Sequence, residues 1–185
     1  MILKFIPNVL TLLRLLLIGP FLFYLYNHQY VISFYLFILA GLSDGLDGFL
    51  ARSFNWQSFF GSFVDPLADK LLIASSFISL ALIGMLPWWL VILVFLRDLT
   101  ISLGVLAWYQ FIRRKLDFQP TLLSKINTAL QLTLVTSCLF ELAYFAFPSY
   151  LLNGLIILTT FTTAFTYIDY IWTWGRKAWP KKEPS

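Results

Sequence analysis

Four aspartates carry the chemistry this sequence can be read for. Asp44 and Asp47 stand three residues apart in Ser43-Asp44-Gly45-Leu46-Asp47-Gly48-Phe49-Leu50-Ala51-Arg52, and Asp65 and Asp69 stand four apart in Gly61-Ser62-Phe63-Val64-Asp65-Pro66-Leu67-Ala68-Asp69-Lys70. On helices, each spacing projects both carboxylates from one face, and a short loop brings the two pairs together. An aspartate at mid-membrane costs about 2.5–3.5 kcal/mol, so four central ones would cost about 10–14 kcal/mol, and less near the interface. They would also repel one another. Protonation relieves part of that, and a divalent cation relieves more. Carboxylates with no His or Cys beside them suit a hard ion, Mg²⁺ or Mn²⁺. Two ions would balance four carboxylates and suit an in-line phosphoryl displacement.

The surrounding residues agree with a phosphate ligand. Gly45, Gly48 and Gly61 weaken the helices unless something needs the space, as a nucleotide diphosphate or pentose would. Arg52 can pair with phosphate. A purely structural role for four such aspartates is disfavoured. An ion or proton transporter is the competitor from another class, because transporters also bury acidic residues. Their sites usually sit near the midplane between inverted repeats; here no internal repeat is visible and the aspartates lie toward one face.

The elements that must hold these residues are membrane helices. Hydrophobic residues make up 59% of the 185-residue chain and charged ones 12%, where a soluble domain is about 25% charged. Six segments are long and apolar enough to span a bilayer: 9–26, 30–49, 62–85, 88–111, 122–146 and 150–173. The expected fold is all-α, a six-helix membrane bundle forming one domain over 1–185, with 176–185 a basic tail. The first helix, which contains Arg14, is read as retained rather than as a cleaved signal. The lone Cys138 makes no internal disulfide, and no nucleic-acid motif is present.

Charge orients the bundle. Lys4, Arg52, Arg113, Arg114, Lys115, Lys125, Arg176, Lys177, Lys181 and Lys182 all fall on one side, while the turns at 27–29, 86–87 and 147–149 contain no Lys or Arg. Both termini and the aspartates are therefore expected on the cytoplasmic side. The +4 net charge signals topology first and contact with anionic membrane lipids second. Polar stripes are expected at Asp65, Asp69, Ser76 and Ser79 on the third helix, at Ser124, Asn127 and Gln131 on the fifth, and at Thr159, Thr162, Thr166 and Asp169 on the sixth. For the serines and threonines, interhelical hydrogen bonding suffices. Arg97 and Asp98, adjacent on a helix and diverging by about 100°, are expected to take separate partners.

The stretch Asp-x-x-Asp-Gly-x-x-Ala-Arg, eight residues, Gly-x-x-x-Asp-x-x-x-Asp resembles the complete signature of the CDP-alcohol phosphatidyltransferase family. The resemblance implies that Asp44, Asp47 and Asp65 are the main metal ligands. Asp69 would take the acceptor's proton and would also touch a metal. Gly48, Ala51, Arg52 and Gly61, with Asp44 and Asp65, would surround the CDP moiety. The pattern Asn8-x-x-Thr11-x-x-Arg14 is also similar to the family and brings Asn8 and Thr11 toward the nucleotide; Arg14 has a second reading, anchoring the first helix at the headgroups. The donor would be CDP-diacylglycerol and the leaving group CMP. The resemblance further implies a homodimer, and the lack of a presequence suits a bacterial plasma membrane.

The acceptor is read from the second half. Phosphatidylglycerophosphate synthases of this family tend to carry Arg-Glu in the fourth helix, another Arg two turns later, and a Gly-Lys-x-Lys-Thr-type opening of the fifth. Here stand Arg97-Asp98, Val105, and Ser124-Lys125-Ile126-Asn127. These departures, with Phe161-Thr162-Thr163-Ala164 and Gly175-Arg176-Lys177, resemble the CMP-forming cardiolipin synthases. Phosphatidylglycerol, with a neutral glycerol end, needs fewer cations than glycerol 3-phosphate. The favoured acceptor is thus phosphatidylglycerol, with glycerol 3-phosphate as the alternative. Arg97, Asp98, Ser124 and Lys125 are the acceptor candidates, Lys125 reading equally as an interfacial lysine.

Overall fold

The computed structural model describes the backbone over residues 6–53, 59–111 and 122–178, and side chains over 9–46, 68–104 and 122–172. The described chain is all helix and turn: α1 (Ile6–Tyr26), α2 (Tyr30–Ser53), α3 (Phe59–Ile83), α4 (Trp88–Phe111), α5 (Leu122–Ala143) and α6 (Ser149–Ala178). Each coincides with a segment expected from hydropathy. The main boundary differences put Ser53 inside α2, extend α3 upstream to Phe59, and carry α6 on to Ala178.

Among the described residues, three stretches are long and apolar enough to cross a membrane: Val9–Tyr26, Leu122–Ala143 and Ser149–Trp172. Tyr30–Leu46 is a shorter apolar helix. The outside of the bundle is apolar too. Leu16, Leu42, Leu82, Phe161 and Trp172 are all more than half exposed, a surface that hydrocarbon covers without penalty and water does not.

Two helices end by the same device. After α1, Gln29 N–H donates to the Tyr24 carbonyl and His28 N–H to Leu25; after α3, Met85 N–H donates to Leu80 and Gly84 N–H to Ala81. These are Schellman motifs, which place one residue in the left-handed region. That residue is His28 (φ 59°) in the first and Gly84 (φ 89°) in the second. Both tight turns let the following helix run back antiparallel.

The core joins Phe21 and Leu25 of α1, Phe37 of α2, Phe77 and Leu80 of α3, Leu90 and Val94 of α4, and Leu134 and Leu139 of α5. Cys138 is a free thiol buried in this core. α1 packs against α2 and α3, while α6 packs against α4 and α5. The two groups meet where α2 and α3 touch α5 and where α3 touches α4. Among the described residues each group holds one buried arginine, Arg14 in the first and Arg97 in the second.

Candidate active site

α1 is apolar except for a face that carries Thr11 and Arg14, three residues apart and so on one side of the helix. Both are buried, Thr11 at 1% and Arg14 at 0% exposure. A guanidinium buried without a counter-charge is strongly unfavourable, and the packing of α1 on α2 and α3 supplies two. Arg14 Nη2 lies 2.9 Å from Asp44 Oδ1 on α2, and Arg14 Nη1 donates to Asp69 Oδ1 on α3. Arg14 is therefore not a headgroup anchor, as its place near the start of an apolar helix allowed. It sits inside the bundle, joining the first aspartate of one pair to the last aspartate of the other.

The carboxylates are not sealed in. The Asp44 and Asp69 side chains are 46% and 41% exposed. Arg14 meets them from the buried side, and part of each carboxylate's surface remains exposed. Two carboxylates from successive helices, converging and half-open, are a donor set that fits a hard divalent cation. Among the described residues, no group of three or more His, Cys, Asp or Glu side chains gathers at one point. Asp47 and Asp65 lie on α2 and α3, but their side chains are outside the described residues. The same holds for Gly48, Ala51, Arg52 and Gly61, and for Asn8 on α1.

The second buried arginine is Arg97 of α4, with its side chain 8% exposed. Its Nη1 contacts Asp98 Oδ1 at 2.6 Å and its Nη2 donates to Ser124 Oγ of α5 at 2.6 Å. Its guanidinium carbon stands 5.9 Å from the centre of the Tyr170 ring on α6, within cation–π range. The expectation of separate partners for Arg97 and Asp98 is thus corrected. Adjacent residues diverge at Cβ, but the long arginine side chain bends back to the nearby carboxylate. Three of the four acceptor candidates, Arg97, Asp98 and Ser124, form this one cluster; Lys125 is exposed.

A cleft of about 180 Å³ lies between α3 and α4. Lys70, Asp98 and Ser102 form its polar side, and Ile73, Val94 and Phe95 its apolar side. Lys70 Nζ donates to Ser102 Oγ, and Ser102 Oγ donates in turn to the Asp98 carbonyl at 2.8 Å. Asp98 therefore belongs to both the Arg97 cluster and the cleft.

Of the polar stripes expected on α5 and α6, the Asn127–Thr162 pair is an interhelical bond, whereas Thr166 Oγ1 donates within its own helix to the Thr162 carbonyl at 2.5 Å. Asn127, fully buried, accepts at Oδ1 from Thr162 Oγ1 (2.9 Å) and Thr163 Oγ1 (2.8 Å). On α3, Ser76 Oγ instead donates within its own helix, to Leu72 O at 2.7 Å.

Comparison with known proteins sets these clusters in context. The family model for CDP-alcohol phosphatidyltransferases matches residues 4–173. The chain belongs to that family. The probable phosphatidylglycerophosphate synthase of Mycobacterium tuberculosis is 41% identical over 108 residues, 55% of this chain and 52% of that protein. The human cardiolipin synthase (CMP-forming) is 35% identical over 188 residues, 93% of this chain and 62% of that protein. The CDP-diacylglycerol–glycerol-3-phosphate 3-phosphatidyltransferase of Wigglesworthia glossinidia brevipalpis is 34% identical over 145 residues, 75% of this chain and 79% of that protein. The matches thus span 52% and 62% of the first two relatives' own lengths. Cardiolipin synthases and glycerophosphate-acceptor enzymes both stand among the relatives, so family membership leaves the acceptor open.

Two functional candidates were not assigned in the sequence. Arg14 stood in the Asn8-x-x-Thr11-x-x-Arg14 pattern, and the signal that would have placed it is electrostatic: four carboxylates need a cation, and Arg14 is the sole cation of the α1 stretch from Val9 to Tyr26. Tyr170, beneath Arg97, left no such signal, because an aromatic residue in an apolar helix reads as packing.

Proposed function

We propose that this protein transfers a phosphatidyl group from CDP-diacylglycerol to phosphatidylglycerol, giving cardiolipin and CMP. The observation that carries the transferase reading is the convergence of Asp44 and Asp69, from successive helices, within a chain of this family. Asp44, Asp47, Asp65 and Asp69 would hold two Mg²⁺ or Mn²⁺ ions, which when bound supply positive charge to the diphosphate oxygens. Asn8, Thr11, Gly48, Ala51, Arg52 and Gly61 would receive the cytidine and its phosphates.

In the reaction, the acceptor hydroxyl oxygen bonds to the lipid-linked phosphorus. The bond from that phosphorus to the bridging diphosphate oxygen breaks, and CMP leaves with the electron pair. Asp69 takes the hydroxyl proton as attack proceeds. Both termini and this site would face the cytoplasm, in a bacterial plasma membrane crossed six times, and the protein would act as a homodimer.

Two features support the lipid acceptor. Arg97 is already paired with Asp98 and held by Ser124, so Arg97 itself offers little charge to a phosphomonoester. The α3/α4 cleft has a polar side next in sequence to Asp69 and an apolar side along Ile73, Val94 and Phe95, matching an acceptor that is itself a lipid. The second reading takes glycerol 3-phosphate, the acceptor that the printed name of the Wigglesworthia relative specifies.

The test is CMP release by purified protein with CDP-diacylglycerol, Mn²⁺ or Mg²⁺, and each acceptor in turn. Release with phosphatidylglycerol and not glycerol 3-phosphate is expected. The opposite pattern replaces the first reading with the second. Ion flux with no CMP under any combination would make the protein a transporter.

A further inference from the structure

We infer that Arg14 is a positioning residue that braces Asp44 and Asp69 from the buried side and so sets the separation at which their outer oxygens meet a divalent ion. The inference rests on the metal reading proposed above and extends it to a residue outside the aspartate signature.

Three observations lead to it. First, the Arg14 side chain is 0% exposed while those of Asp44 and Asp69 are 46% and 41% exposed. The guanidinium and an incoming ion would therefore approach the same carboxylates from opposite sides. Second, the contacts come from different nitrogens, Nη2 to Asp44 and Nη1 to Asp69. A planar guanidinium fixes the angle and spacing of such a pair, which a lysine ammonium does not. Third, the contacts use Oδ1 of each aspartate. Groups that hydrogen-bond a ligating carboxylate orient it, and removing them typically lowers metal affinity about 10–100-fold.

Charge alone predicts the opposite sign. Taking a cation away from Asp44 and Asp69 strengthens their pull on a divalent ion. A brace and a mere competitor are therefore separable by the direction of one measurement, made without turnover.

The experiment titrates purified protein in detergent with Mn²⁺ alone and reads free Mn²⁺ by electron paramagnetic resonance. It compares wild type, Arg14→Gln and Arg14→Lys, each confirmed as helical and monodisperse. Weaker binding by about 10-fold or more in both variants is expected, because Lys keeps the charge and loses the two-pronged geometry. Tighter binding by Arg14→Gln would make Arg14 a competitor of the ion and overturn the inference. Wild-type affinity in Arg14→Lys would mean that only charge matters, and would overturn it too. Should Arg14→Gln fail to fold, Arg14→Lys decides alone. The wild-type titration judges the metal reading separately: no saturable Mn²⁺ binding there removes that reading, and this inference with it.

Discussion

Arg14 and Arg97 meet the same physical requirement with different chemistry around them. Each is a buried guanidinium that must find anionic partners. Arg14 finds two aspartates on two other helices. Arg97 finds one aspartate beside it, a serine on α5 and a ring on α6. Removing one member of a buried pair costs about 3–5 kcal/mol, because the other charge stays behind. Asp98 is 25% exposed, so Asp98→Asn should lose about 3 kcal/mol, the low end of that range. A reversible unfolding titration in mixed micelles reads that loss, and Asp98→Glu should recover much of it. An unchanged midpoint in Asp98→Asn would mean that water or lipid, not Asp98, compensates Arg97. Asp69 is predicted differently. Asp69→Asn keeps the size of the side chain and an oxygen for Arg14 while removing a basic carboxylate. CMP release should fall to background while CDP binding, followed by calorimetry, is substantially retained. Normal turnover in that variant would take Asp69 out of proton transfer.

At the scale of elements, hydropathy located all six helices, because a bilayer-length apolar run has few other ways to satisfy its backbone. The ends were less legible. α3 reaches upstream to Phe59 and α6 on to Ala178 through Arg176 and Lys177, since a helix can continue beyond its apolar stretch. The reason for the turns was also hidden. Nothing in the dipeptide Asn27-His28 announces a Schellman motif, which normally uses glycine at the left-handed position, yet His28 adopts φ 59° there. Its Nδ1 lies 2.6 Å from the Tyr30 hydroxyl, a local contact that offsets part of the strain. Gly84 occupies the matching position after α3 at φ 89°, and a Cβ built on it meets nothing within 4 Å. Gly84→Ala should therefore be destabilising by about 1–2 kcal/mol through backbone strain alone. His28→Gly relieves the same strain and should be neutral to stabilising, less what the Tyr30 contact contributes. The same unfolding titration checks both, and equal effects at the two sites would refute the shared-motif account. Of the α5–α6 stripe, the Asn127–Thr162 contact was legible as packing, while Thr163, which also donates to Asn127, was not in the expected stripe. The Arg97–Asp98 contact was not, because helical geometry describes Cβ directions and not the reach of a long side chain.

For the whole molecule, the decisive question is which side of the membrane the aspartates face. Arg14, Lys70 and Arg97 apart, every Lys and Arg in the sequence stands at or near the helix ends and loops opposite the turns at 27–29, 86–87 and 147–149. Along α1, Arg14 is twelve residues from Tyr26, the last residue before the first of those turns, which is about 18 Å of helix. The Arg14–Asp44–Asp69 cluster thus lies well away from the uncharged turns and toward the basic end. Positive residues stay on the cytoplasmic side, so the cluster should open there. The chain holds one cysteine, Cys138, which is buried, so Cys138→Ala supplies a background for single-cysteine reporters. In intact cells, a membrane-impermeant maleimide should label His28→Cys and leave Lys115→Cys and Lys177→Cys unlabelled; permeabilised cells should label all three. Labelling of position 115 or 177 in intact cells would invert the bundle, placing the aspartates outside and separating them from any cytoplasmic nucleotide-lipid donor. Equal labelling of 28 and 177 in intact cells would instead mean an even number of crossings between them. The six-crossing reading would then fail even with the helices as described.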